Sequence, residues 1–203
     1  MNNSDKVKWA LLCSGKGNNV YDIINYYQKN PQQNSFDISL IIYESSNFSA
    51  IKIAKSNRID VLQISRNTFK DSIEHQKKLI HEILSRRIDF IFLLNYKYLI
   101  KQEMLSTFPN RIINIHPSLF PSFLGTKTAI QDALVYGVKI TGITTHIINH
   151  EYDKGIILNQ VAIKINDNDN FELLYTKFRK KGFKIIVKTI NKLTDEFQAI
   201  KIK

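Results

Sequence analysis

Lys8-Trp9-Ala10-Leu11-Leu12-Cys13-Ser14-Gly15-Lys16-Gly17-Asn18-Asn19 is the stretch that decides the fold. Residues of strand character run straight into a glycine-rich turn, and an amphipathic stretch at 19–29 follows at once. Glycines let the backbone turn tightly, and the free N–H groups at the start of a helix favour an anion. Gly15, Lys16, Gly17, Asn18 and Asn19 are therefore read as a cradle for a substrate phosphate, with a plain tight turn as the competing reading. The full dinucleotide-binding spacing is absent, because Val20-Tyr21 stands where a third glycine would sit. The Gly-Lys-Ser/Thr of a P-loop is also missing.

The same alternation continues along the chain. Short β-rich runs at 37–42, 61–64, 90–94 and 112–115 are separated by helical stretches at 49–56 and 69–86. A near-continuous apolar run such as Phe90-Ile91-Phe92-Leu93-Leu94 suits a sheet covered on both faces. Strand–helix alternation implies parallel strands joined by right-handed crossovers. In the 69–86 stretch, Phe69, Ile73, Ile80, Ile83 and Leu84 fall on one helical stripe, and Thr68 with Asp71 three residues on predicts the cap. After a helix at 128–136 the pattern changes to two strands, 141–148 and 156–164, joined by a polar loop, and then a closing helix at 170–191. The predicted fold is α/β: a Rossmann-like open, mostly parallel sheet with helices on both faces and an antiparallel or mixed C-terminal extension. A single domain at 1–203 is expected, its Rossmann-like half at 1–115 and a second half at 116–203.

Composition narrows the function classes. Hydrophobic residues at 43% and charged residues at 23% exclude a disordered or collagenous chain. The lone Cys13 supplies neither a disulfide framework nor a Cys-based zinc site. With no signal-peptide shape and no apolar run long enough to span a bilayer, the expectation is a cytoplasmic protein with no membrane partner. The net charge of +11 invites an anionic partner. Nucleic acid is not the expected one, since basic and aromatic residues are not interleaved as in stacking platforms.

Three segments carry candidate chemistry. Asn114 and His116 lie two apart at the end of a buried strand, so they share a face, where an amide and an imidazole can polarise a carbonyl. Asp153, in the loop His150-Glu151-Tyr152-Asp153-Lys154-Gly155, is a carboxylate of the kind that fixes a histidine's tautomer, or else a loop acid satisfying local N–H groups. His146 on the preceding strand is read as a supporting or half-buried histidine. No acid-rich cluster or His-Glu-x-x-His pattern occurs, so no metal is expected.

Together Asn114-Ile115-His116-Pro117-Ser118-Leu119, Phe123-x-Gly125, the run from Gly137 to His146 and Asp153-Lys154-Gly155-Ile156-Ile157 resemble the folate-dependent formyltransferases. Over length the resemblance is greatest to the branch that formylates glycinamide ribonucleotide, and it extends across 7–164. It implies that Asn114, His116 and Asp153 match the catalytic set, with N10-formyltetrahydrofolate as formyl donor. It also implies a folate pocket in the 116–203 half's loop at 148–153 and in the segment 95–100, with Lys97, Tyr98, Leu99, Ile148, Asn149 and Tyr152 touching the co-substrate. Phe120-Pro121 matches a frequent cis peptide. The implied partner is a phosphorylated small-molecule amine, and two acceptors compete. The late helix reads Arg179-Lys180-Lys181-Gly182-Phe183, without the acid that a glycinamide amine should meet. Segment 95–100 and the Leu174-Tyr175…Phe178…Gly182 helix look more like the formyltransferases of nucleotide-linked amino sugars, such as a dTDP-4-amino-dideoxy sugar. The amino sugar is therefore the expected acceptor, glycinamide ribonucleotide of purine biosynthesis the alternative. Sugar-modifying relatives often pair, so a homodimer is compatible with this resemblance. A tRNA-formylating protein, which needs a further domain, and a non-catalytic folate binder are the lesser expectations.

Overall fold

The computed structural model describes residues 6–30, 35–151 and 153–201. Among them the strands β1 (Val7–Cys13), β2 (Phe36–Tyr43), β3 (Asp60–Gln63), β4 (Phe90–Leu93), β5 (Ile112–His116), β6 (Ile140–Ile147) and β7 (Ile157–Lys164) form one sheet. Its order is β3-β2-β1-β4-β5-β6-β7. The pairs from β3 to β5 are parallel, while β6 pairs antiparallel with both β5 and β7. The α/β reading with a mixed C-terminal extension holds.

Helices α1 (Asn18–Lys29), α2 (Ile51–Ser56), α3 (Ser72–Ser85), α4 (Gln102–Thr107), α5 (Ala129–Tyr136) and α6 (Phe171–Lys201) cover the sheet. β1 shows why both faces are buried. Trp9 and Leu11 point into a core shared with Ile23 of α1 and Ile190 of α6. The intervening Ala10 and Leu12 point into a second core with Leu79 and Ile83 of α3 and Met104 of α4. The period-two alternation of a strand thus feeds two apolar layers. The Trp9 indole N–H donates to Thr194 Oγ1 at 3.1 Å, tying β1 to the closing helix.

Three local expectations need correction. Asp71, not Thr68, caps α3: its carboxylate accepts from the N–H groups of Ile73 and Glu74. An acceptor at that position meets the first free donors directly. The apolar stripe of α3 is also phased differently, since Ile73 and Leu84 are 52% and 53% exposed while His75, Gln76 and Leu79 are buried. Gln76 is drawn inward because its amide donates to Leu99 O and accepts from Lys101 N. The closing helix does not stop near Asn191: Leu193 and Phe197 continue its apolar face against the first core, and it runs to Lys201.

Strand order reverses at β1, which lies between β2 and β4. In open α/β sheets the crevice beyond the carboxyl ends of the strands at such a reversal is where ligands bind. The turn after β1, the segment after β4 and the end of β5 all meet there.

Candidate active site

The antiparallel register of β5 and β6 sets Asn114 opposite His146 and His116 opposite Thr144. Directly opposed residues have closely spaced Cβ atoms, and Asn114 Nδ2 lies 3.3 Å from His146 Nε2. Asp153 arrives from the loop after β6. Its backbone is left-handed, with φ 54°, and Gly155, two residues on, passes so close to β6 that an added Cβ would sit 1.6 Å from Ile147 O. Only glycine allows that approach, which turns Asp153 inward. Its carboxylate accepts from Gly125 N–H at 3.1 Å. One oxygen lies 3.5 Å from His116 Nε2 and the other 3.7 Å from His146 Nε2. Asp153 is thus shared by two imidazoles, and the ring of Phe120, beyond which the peptide to Pro121 is cis, lies against both.

The hydrogen-bond network assigns the tautomer of His116. Ser118 Oγ donates its only proton to Ser122 O at 2.7 Å, so it accepts from His116 Nδ1–H at 3.1 Å. That leaves His116 Nε2 with a lone pair, buried and without a hydrogen-bond partner among the described residues. Burial holds the pKa of His116 below its ordinary value, against the smaller opposing pulls of Asp153 and of the Thr126 backbone. His146 is lowered for the same leading reason. A neutral imidazole beside a fixed carboxylate can take a proton and be stabilised when it does so. An amide N–H from Asn114 at the same spot can hold a negatively charged oxygen.

Beside this cluster a cavity of about 580 Å³ is lined by Gly15 through Val20, by Leu94 and Asn95, by Ile115 and Pro117 flanking His116, by residues 127–131 and by Phe171, Tyr175, Phe178 and Arg179 of α6. The turn enters α1 through Gly17, whose φ is 80°, and a Cβ there would fall 2.2 Å from the Phe48 ring. Among the described residues no side chain caps the first N–H groups of α1, so an anion can take that place. Lys16, Lys127 and Arg179 line the cavity, with no carboxylate among its described lining residues. Arg179 makes a two-point pair with Asp22 at 3.0 and 3.1 Å. Phe171 and Tyr175 stack at 5.9 Å between ring centroids and are partly exposed.

Sequence reasoning named Asn114, His116, His146 and Asp153, which converge, and Gly15 to Asn19, which line the cavity beside them. Lys97, Tyr98 and Leu99 lie after β4, but the first two face Glu44, whose carboxylate accepts from Tyr98 Oη at 2.7 Å and pairs with Lys97 Nζ at 3.7 Å. Ile148 and Asn149 open the loop that leads to Asp153, while Tyr152 lies outside the described residues. Sequence reasoning missed Glu44 and the Phe120 ring. Glu44, directly after β2 at the same sheet edge, was open to the strand-end argument used for His116. Cys13 is a core residue whose thiol burial pushes up to about 12. Among the described residues no group of three or more His, Cys, Asp or Glu could hold a metal ion, and no helix is long and apolar enough to cross a membrane.

Residues 7–190 match the sequence profile of the formyl transferase family. The phosphoribosylglycinamide formyltransferase of Bacillus subtilis is 29% identical over 175 residues, covering 85% of this chain and 87% of that protein. A crystal structure of glycinamide ribonucleotide transformylase 1 from Symbiobacterium toebii superposes with a TM-score of 0.87 at 26% identity, covering 94% of this chain and 89% of that one. The phosphoribosylglycinamide formyltransferase of Bacillus halodurans gives 0.84 at 30% identity, with 92% and 94% covered.

Proposed function

The chain belongs to the formyl transferase family, and on that premise we propose that it moves the formyl group of N10-formyltetrahydrofolate to the primary amine of a phosphate-bearing small molecule, glycinamide ribonucleotide foremost. The observation that carries the chemistry is the buried His116 Nε2 at 3.5 Å from the Asp153 carboxylate, with the Asn114 amide on the same strand face. The relatives carry the acceptor: the B. subtilis protein and both solved structures bear the name of that activity over nearly the whole chain. This reverses the order in which the sequence ranked the two acceptors.

The proposed division of labour follows the chain halves. In 1–115 the Gly15–Asn19 turn holds the acceptor's phosphate at the start of α1. In 116–203 the loop that opens with Ile148 and Asn149 forms one wall for the folate, and the segment 95–100 after β4 supplies the rest. When bound, N10-formyltetrahydrofolate supplies the formyl carbon. In the transfer one C–N bond forms to the amine and one C–N bond to N10 breaks. Asn114 Nδ2–H holds the negative charge developing on the formyl oxygen. His116 Nε2, unprotonated at rest, takes the proton the amine loses, and the imidazolium N–H then returns it toward N10. Asp153 stabilises the imidazolium and is itself fixed by Gly125 N–H. A preorganised oxyanion donor of this kind contributes about 3–4 kcal/mol to the rate.

A second acceptor class, nucleotide-linked amino sugars, is favoured by one observation. The three cations and the stacked Phe171–Tyr175 pair line the same cavity, as a diphosphate and a flat base would require. Offering N10-formyltetrahydrofolate with glycinamide ribonucleotide and with dTDP-linked amino sugars, and following mass gain of one formyl group, tests the order. Gain on glycinamide ribonucleotide alone is expected. Gain on the amino sugars alone would reverse the order, and gain on no amine would defeat the reading.

A further inference from the structure

The strongest feature left unused by this reading is a buried carboxylate between the two substrate segments. Glu44 follows β2, and its side chain is 6% exposed. One of its oxygens accepts from Tyr98 Oη at 2.7 Å and lies 3.7 Å from Lys97 Nζ. Its other oxygen accepts from Ser14 Oγ at 3.4 Å. Ser14 in turn accepts from Lys97 N–H at 3.2 Å and donates its own N–H to Asn95 O at 3.3 Å. The turn after β1 and the segment after β4 are therefore joined by one backbone hydrogen bond and, on the side-chain level, by one carboxylate and one hydroxyl. A carboxylate so removed from water is costly unless partners satisfy it, and its hydrogen-bond and ion-pair partners among the described residues, Ser14, Lys97 and Tyr98, all belong to these two segments.

We propose that Glu44, acting through Ser14, is a positioning residue that ties the anion-binding turn to the folate-binding segment, so that occupancy of one strengthens binding at the other. The inference rests on the reading of both segments given above. A ligand that orders segment 95–100 fixes Tyr98 and Lys97, and through Glu44 and Ser14 fixes the residue that begins the Ser14–Asn19 turn. The second ligand then meets a turn already ordered, which is positive coupling without any large movement. By reciprocity the acceptor's anion must strengthen folate binding by the same factor.

Calorimetric titration of tetrahydrofolate, with and without saturating inorganic phosphate, reads the coupling without turnover. Tetrahydrofolate should bind wild-type protein about fivefold or more tightly when phosphate is present. In Glu44→Ala the ratio should fall below twofold. Ser14→Ala, which removes only the bridging hydroxyl and leaves the Glu44–Tyr98 bond, should lose the coupling as well, while circular dichroism stays that of the wild type. Persistence of the wild-type ratio in Ser14→Ala, or no coupling in wild type, would overturn the proposal. Neither result would touch formyl transfer, which the amine panel tests separately: wild type active in the panel but uncoupled in the titration defeats only the role of Glu44.

Discussion

Replacing Asp153 by Asn changes one charge and almost no volume. The Asn carbonyl can still accept from Gly125 N–H, so the loop keeps its anchor at 3.1 Å. What disappears is the carboxylate 3.5 Å from His116 Nε2. At that separation and an effective dielectric of about 20, an imidazolium–carboxylate pair is worth about 5 kcal/mol. That is a ceiling of between three and four powers of ten on how much Asp153 stabilises protonated His116, taking about 1.4 kcal/mol per tenfold. Because the imidazole is only partly protonated as the bonds exchange, the expected loss in kcat is about 10²–10³. Steady-state formyl transfer at saturating co-substrates measures it, and denaturant unfolding should differ from wild type by about 1 kcal/mol or less. The pKa values of His116 and His146 should fall further, since Asp153 opposes the burial that lowers both. A variant within tenfold of wild-type kcat would refute the claim that this carboxylate supports a proton-carrying histidine.

Three other outcomes follow from the geometry. With His116 and His146 lowered from the ordinary 6.5 by burial, the acid limb of kcat/KM should lie below that value in a pH–rate profile. The same groups bind fewer protons folded than unfolded, so their contribution to stability is complete above pH 6.5 and is lost as the pH falls through it toward the folded values. Urea midpoints measured across that range should therefore drop on acidification; a midpoint that rises would contradict the sign. Gly17→Ala places a Cβ at φ 80° and 2.2 Å from the Phe48 ring, so it should cost about 2 kcal/mol or more in urea unfolding and raise the acceptor KM. Wild-type stability and KM would show that the turn tolerates a side chain.

The strands were legible to within a residue or so because each alternates or runs apolar between turn signals, as Phe90–Leu93 does between Asp89 and Asn95. The short helix Gln102–Thr107 escaped notice: six residues carry less than two turns of periodicity. Ile73 and Leu84 were misassigned to the core because a stripe fixes spacing but not which way the helix faces, and here Gln76 sets the rotation through its bonds to Leu99 and Lys101. Asn114 and His116 were readable from strand parity. That Asp153 reaches His116 was not, since it depends on a left-handed residue and on Gly155 touching β6, neither of which has a spacing signature. The place of Glu44 at a strand end was readable but its pairing was not, because its partners, Ser14, Lys97 and Tyr98, lie far from it in sequence and meet where β2, β1 and β4 end side by side.

The most direct test of the site is single-turnover formyl transfer from N10-formyltetrahydrofolate to glycinamide ribonucleotide by wild type and by His116→Ala, with tetrahydrofolate affinity measured on both. The expected result is formylated product from wild type, a rate lower by about 10² or more in the variant, and folate affinity preserved. Product formation at a wild-type rate without the imidazole would contradict the assignment of the chemistry to this cluster.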